Sequence, residues 1–208
     1  MKVICLGSGK NMTLINDWDT QGIKIAGVNN VWKGTDKWDY LVHAGDYPFK
    51  NKIVKRPGQE VHSAGGVKGF RQSYISMSTE NGKTMNWEQA RIHLGLPIYF
   101  TLTYWVLHYL KPTHIGFLGF DMNYTPGKDG ETAFYGKGYD MQQRGVPDPL
   151  YQFRNVPEYK KHGDNMMNIL LDRLKDRKGN TQFYNLSDDP DSVLPWQRTT
   201  IEEFKNIT

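Results

Sequence analysis

The sequence predicts an α/β fold, a Rossmann-like and mainly parallel sheet flanked by helices. Four short, mostly apolar strand-like runs, Val3–Leu6, Ile23–Val28, Tyr40–Ala44 and His114–Leu118, each stop at Gly or Asn, as strands of a parallel sheet do. The chain between and after them carries apolar residues at helical intervals and leaves room for crossovers. Polar and glycine residues gather where these runs end, at the edge where open parallel sheets hold ligands.

The elements follow in order. Val3–Leu6 is a strand, Gly7 to Asn11 a tight turn, and Met12, Leu14, Ile15 and Trp18 recur at helical spacing. Ile23–Val28 ends at Asn29 and Asn30, and Tyr40–Ala44 ends at Gly45 and Asp46. Between residues 50 and 95 the pattern weakens into Gly, Lys and Ser, with strands expected near Val61 and over Tyr74–Met77, and an antiparallel insertion suits it. Leu96–Leu110 reads as a helix, with Pro97 in its first turn and its end before Pro112. His114–Leu118 is a buried strand that ends in Gly119, Phe120 and Asp121. Residues 122–158 are rich in Gly, Pro and Tyr without periodicity, the mark of a functional loop, and are expected to cover the site. Asp164–Arg177 is a second helix, Thr181–Asn185 a last strand, and Thr200 caps a short helix over Ile201–Phe204.

A chain of 208 residues can bury the core of one large domain, so residues 1–208 are expected to form a single α/β domain with an insertion at 50–95 and a lid at 122–158. Its 12 Tyr, 9 Phe and 6 Trp suit a packed fold with aromatic site walls and argue against a disordered chain. The lone Cys5 sits inside the first apolar run, which excludes a disulfide framework within the monomer. The longest apolar stretch, Ile98–Leu110, carries Thr101, Thr103 and His108 and is too short for a membrane span, so no membrane contact and a cytoplasmic location are expected. The net charge is +4, with basic residues concentrated in Lys50–Arg56 and between Lys128 and Lys178. Such an excess is commonly a solvated surface, and it also suits a polyanionic partner.

Gly7-Ser8-Gly9-Lys10-Asn11 joins the first strand to the first helix, where backbone N–H groups and the helix dipole favour an anion. It is not a P-loop, and it lacks the third glycine of the dinucleotide fingerprint, so a plain tight turn explains the same residues. Asn29, Asn30 and Asp46 fall at the ends of the second and third strands, where they suit a base or ribose edge; ordinary turn chemistry is the alternative. Asp121 follows a buried strand and either contacts the ligand or orders its own loop. Asp17-Trp18-Asp19 resembles a metal-binding Asp-x-Asp but falls in the first helix, where its residues point apart. No histidine pair has zinc-ligand spacing, and no metal site is expected.

Taken in order, Leu6-Gly7-Ser8-Gly9-Lys10-Asn11, Val28-Asn29-Asn30, His114-Ile115-Gly116-Phe117-Leu118-Gly119-Phe120-Asp121-Met122 and Tyr159-Lys160-Lys161-His162 resemble the bacterial sialyltransferases of glycosyltransferase family 42. The likeness extends to their phage relatives and to archaeal relatives that include 6-hydroxymethylpterin diphosphokinase-like proteins, and it takes in Tyr184-Asn185-Leu186-Ser187 and Leu194-Pro195. It implies a Rossmann-like variant of the GT-A type and metal-free, inverting transfer from a nucleotide-sugar, which serves as co-substrate with no further cofactor. It implies that Gly7, Gly9 and Asn29 hold the nucleotide, with Ser8, Lys10 and Asn30 beside them as further nucleotide-binding candidates by position, and that His162, placed just before the late helix, is the general base. Tyr124 and Tyr135 lie nearest to the tyrosines that stabilise the departing phosphate in that family. The chain departs from the family at Pro97-Ile98-Tyr99-Phe100, where a Ser-Gly pair is usual, and at Gly45 or Asp46, which replaces a second nucleotide-contacting asparagine. Asp46 would repel a phosphate but could accept from ribose hydroxyls.

The chemistry asks for a base near neutral pKa and for donors aimed at the leaving phosphate, roles that His162, the tyrosines, Lys10 and the turn amides suit. The acceptor is expected to be a glycan or a hydroxymethylated base in double-stranded DNA. Two other classes fit the same features: a diphosphokinase acting on a pterin-like alcohol, and a nucleotide-binding protein without catalysis.

Overall fold

The computed structural model describes residues 1–43, 47, 52–63, 71–72, 98–121, 131, 133–135, 166–192 and 194–208. The strands are β1 (Lys2–Leu6), β2 (Lys24–Val28), β3 (Tyr40–His43), β4 (Glu60–Ser63), β5 (Arg71–Gln72), β6 (His114–Leu118), β7 (Gln182–Asn185) and β8 (Gln197–Arg198). They form one sheet in the order β5-β4-β3-β2-β1-β6-β7-β8, and every pairing is parallel. The chain builds outward from β1 to β5, then returns to the other side of β1 to place β6. Strand order therefore reverses between β1 and β6, and the fold is Rossmann-like α/β.

The central strands are continuous apolar runs because both faces are covered. Val3, Ile4, Cys5 and Leu6 have no exposed surface, and all of β6 is buried. Burial pushes the Cys5 thiol far above its usual pKa, which leaves it a packing residue. Helix α1 (Ile98–Trp105) contacts β2 and β3, and it continues as a π-helical turn, Val106–Leu110, that ends at Lys111 in a left-handed conformation before Pro112. Helix α2 is Met166–Arg177, and α3 is Ile201–Asn206. Thr200 and Glu203 form a reciprocal capping box at the start of α3, the cap expected from sequence. Phe204 of α3 packs against Tyr184 of β7, with ring centroids 5.7 Å apart.

Three expectations change. The first helix is a 3-10 helix, Lys10–Asp17, whose buried residues Met12 and Ile15 are three apart, one turn of such a helix. The chain after β3 is not an antiparallel insertion in its described part: β4 and β5 extend the sheet in parallel, with Tyr40 opposite Glu60 and His62 opposite Arg71. A long connection from β3 makes that crossover feasible. The strand expected over Tyr74–Met77 lies outside the described residues. Asn29 and Asn30 open a second 3-10 helix, Asn29–Lys33, with Asn29 at φ 41. An asparagine tolerates that left-handed turn better than a branched residue would.

Candidate functional site

The reversal between β1 and β6 brings two loops together at the carboxyl edge of the sheet, Gly7-Ser8-Gly9 after β1 and Gly119-Phe120-Asp121 after β6. Gly7 N–H donates to Leu118 O at 2.8 Å, and Gly9 N–H donates to Gly119 O at 2.7 Å. A Cβ on Gly7 would lie 2.1 Å from Gly119 O, and one on Gly9 would lie 2.9 Å from that oxygen and from Asp121 Oδ2. Glycine is required here so that one backbone can lie against the other. The amides of Gly7 and Gly9 are thus committed to the β6 loop. Those of Ser8, Lys10 and Asn11, at the start of the 3-10 helix, make no hydrogen bond to any described residue.

Beneath the turn lies a polar cluster drawn from three strand ends. The Asn11 side-chain amide donates to Ser187 Oγ; Ser187 N–H donates to Asn185 Oδ1 at 3.0 Å; Asn185 Nδ2 donates to Ser192 Oγ at 3.0 Å. Asp121 is 6 % exposed, and its Oδ1 is buried without a hydrogen-bond partner, as is Asn11 Oδ1. Burial raises the Asp121 pKa; Asp189 nearby adds to the rise, and the side chains of Ser187, Asn11 and Ser192 draw it part of the way back.

Beside this cluster, residues 133–135, the longest described piece of the 122–158 segment, lie against the turn. Phe134 N–H donates to Ser8 O at 3.1 Å, and the Phe134 ring approaches Gly34 so closely that a Cβ there would lie 2.6 Å from it. Tyr135 follows, with Lys33 Nζ 5.7 Å from its ring centroid and equally far from that of Trp32. Burial depresses the Lys33 pKa, and the charge of Lys52 depresses it further. Asn30 is tied into the protein: Tyr47 donates from its hydroxyl to Asn30 Oδ1 at 2.5 Å and accepts from Trp32 Nε1 at 3.1 Å. Burial pushes the Tyr47 hydroxyl up to about 12.

The residues singled out from sequence therefore divide. Gly7, Ser8, Gly9, Lys10 and Asp121 converge at the reversal, Asn29 and Asn30 begin the neighbouring turn after β2, and Tyr135 joins them through the lid segment. Asp46, Tyr124 and His162 lie outside the described residues. Sequence reasoning passed over Asn11 as a site residue, and with it Ser187, Asn185, Trp32 and Tyr47. Asn185 and Ser187 follow a strand, and that position was the signal available. Of the Asp17-Trp18-Asp19 string, Asp19 sits at the surface, paired with Lys205 at 2.8 Å.

The fold and the edge together define a Rossmann-like α/β protein with open backbone donors and a buried, partly unsatisfied carboxyl where strand order reverses. No protein-family model, curated protein or solved structure gives a significant match to the chain. Among the described residues no helix is long and apolar enough to cross a membrane, and no group of three or more His, Cys, Asp or Glu side chains is placed to hold a metal ion.

Proposed function

We propose that the protein is a glycosyltransferase that moves a sugar, with inversion and without a metal, from a nucleotide-sugar to an acceptor hydroxyl. The observation that carries this reading is the convergence of the Ser8, Lys10 and Asn11 amides with Asp121 and the Phe134–Tyr135 segment at one strand-order reversal. Amides at a helix start suit a phosphate, and an aromatic cover suits the exclusion of water from a transfer step. The sialyltransferase-like motifs supply the rest of the assignment. In this reading His162 takes the acceptor proton, while Tyr135, Tyr124 and Lys10 steady the leaving nucleotide. The acceptor is a glycan or a hydroxymethylated base in duplex DNA, and only the second requires binding that weakens steeply with salt.

A thermal-shift screen against cytidine, uridine, guanosine and adenosine diphosphates and their sugar conjugates tests the donor. One base family should stabilise the protein, and His162→Ala should then abolish turnover while keeping donor binding. Absence of any nucleotide effect refutes the transferase, and full turnover by H162A refutes His162 as its base. Donor binding without sugar transfer to glycan or DNA points to the non-catalytic binder instead.

A further inference from the structure

We propose that Asp121 is a sugar-hydroxyl receptor, taking the ribose diol of the nucleotide whose phosphate sits on the Ser8, Lys10 and Asn11 amides. The inference rests on the nucleotide reading above and deepens it. Two independent observations meet at this place. The first is the set of Ser8, Lys10 and Asn11 amides, with no bond to any described residue, on either side of Gly9 at the start of an eight-residue 3-10 helix. The second is a carboxyl that is 94 % buried by its 6 % exposure, with Oδ1 lacking a partner and Oδ2 held 2.9 Å from where a Gly9 Cβ would stand.

The two features ask for opposite groups on one ligand. Backbone N–H groups accept an anion, whereas a carboxyl oxygen beside them repels a phosphate and accepts from a hydroxyl. A bare phosphate satisfies only the first. A phosphate that carries a polyol satisfies both, and a nucleotide carries its ribose diol within a few bonds of the phosphate. Leaving a buried acceptor unmatched is costly, so the site should discriminate strongly between a ligand that donates to it and one that does not. The glycine at position 9 is part of the same arrangement: any side chain there would strike Asp121 Oδ2.

The test compares three probes by calorimetric titration of the full chain: pyrophosphate, the ribonucleoside diphosphate of the preferred base, and its 2′,3′-dideoxy counterpart. On the unaltered protein the ribonucleotide should bind at least about tenfold more tightly than the dideoxy form, which should bind about as well as pyrophosphate. Asp121→Asn should erase that difference and, with the repelling charge gone, leave pyrophosphate binding no weaker. Equal affinities for the ribo and dideoxy forms on the unaltered protein overturn the proposal with no variant involved. So does an Asp121→Asn protein that keeps the preference for the ribo form, which would place the diol elsewhere. If none of the three probes binds, it is the nucleotide reading itself that falls.

Discussion

The β1–β6 reversal and the region around α3 are built on opposite principles. At the chain's end, around α3, polar groups are matched: Thr200 and Glu203 cap each other, Arg198 donates to Asp189 O at 2.7 Å, and Lys205 pairs with Asp19. At the β1–β6 reversal, two buried oxygens lack partners and three amides bond to no described residue. Packing is tight in both places, so the contrast is one of hydrogen-bond satisfaction and not of order. A segment that only holds the fold together satisfies its polar atoms, and a segment prepared for a ligand leaves some of them to it.

The sharpest way to break the comparison is Gly7→Ala. The new methyl would sit 2.1 Å from Gly119 O and 2.8 Å from the Phe120 ring, and the first of these is backbone that cannot swing aside. The expected cost is at least about 3 kcal/mol in urea unfolding, or loss of the folded state. A cost near that of a surface substitution would mean that the two loops are not held in contact.

Asp121→Asn comes next and acts in the other direction. Burial raises the folded-state pKa of Asp121 above its ordinary 3.8, so the folded protein keeps a proton that the unfolded chain has released. The stability of the unaltered protein relative to D121N should therefore fall as pH rises from about 3.8 through the folded-state value, then level off. Urea midpoints of both proteins across that range measure it; a relative stability that climbs with pH contradicts the assignment.

Thr200→Ala should cost about 1 kcal/mol by loss of the cap, seen as a lowered melting temperature with no change in nucleotide binding. Asp19→Asn should have the smallest effect. The pair with Lys205 is exposed on the aspartate side, so any loss of melting temperature should vanish in high salt.

Much of the fold was legible because strands buried on both faces announce themselves. Val3–Leu6 and Ile115–Leu118 carry no polar side chain, the strands that hold them were bounded to within a residue, and Thr200 read as a cap from its place before Ile201. The 3-10 character of Lys10–Asp17 was not legible, since Met12, Leu14, Ile15 and Trp18 fit either helical period until burial selects Met12 and Ile15. β8, two residues long, carries no pattern at all. In the site, Gly7 and Gly9 were read as an anion cradle, but local sequence cannot show that Leu118 and Gly119 carbonyls take their amides. Asn30 looked equally exposed to a ligand, and only the fold reveals that Tyr47, itself held by Trp32, donates to it.

The most direct measurement follows the backbone amides by heteronuclear NMR while a nucleoside diphosphate of the preferred base is added. Ser8, Lys10 and Asn11 should show the largest shifts among the assigned amides, with Gly7 and Gly9, already bonded to the β6 loop, moving less. Saturable binding that leaves those three resonances in place and perturbs a different part of the sheet would contradict a ligand site at the β1–β6 reversal.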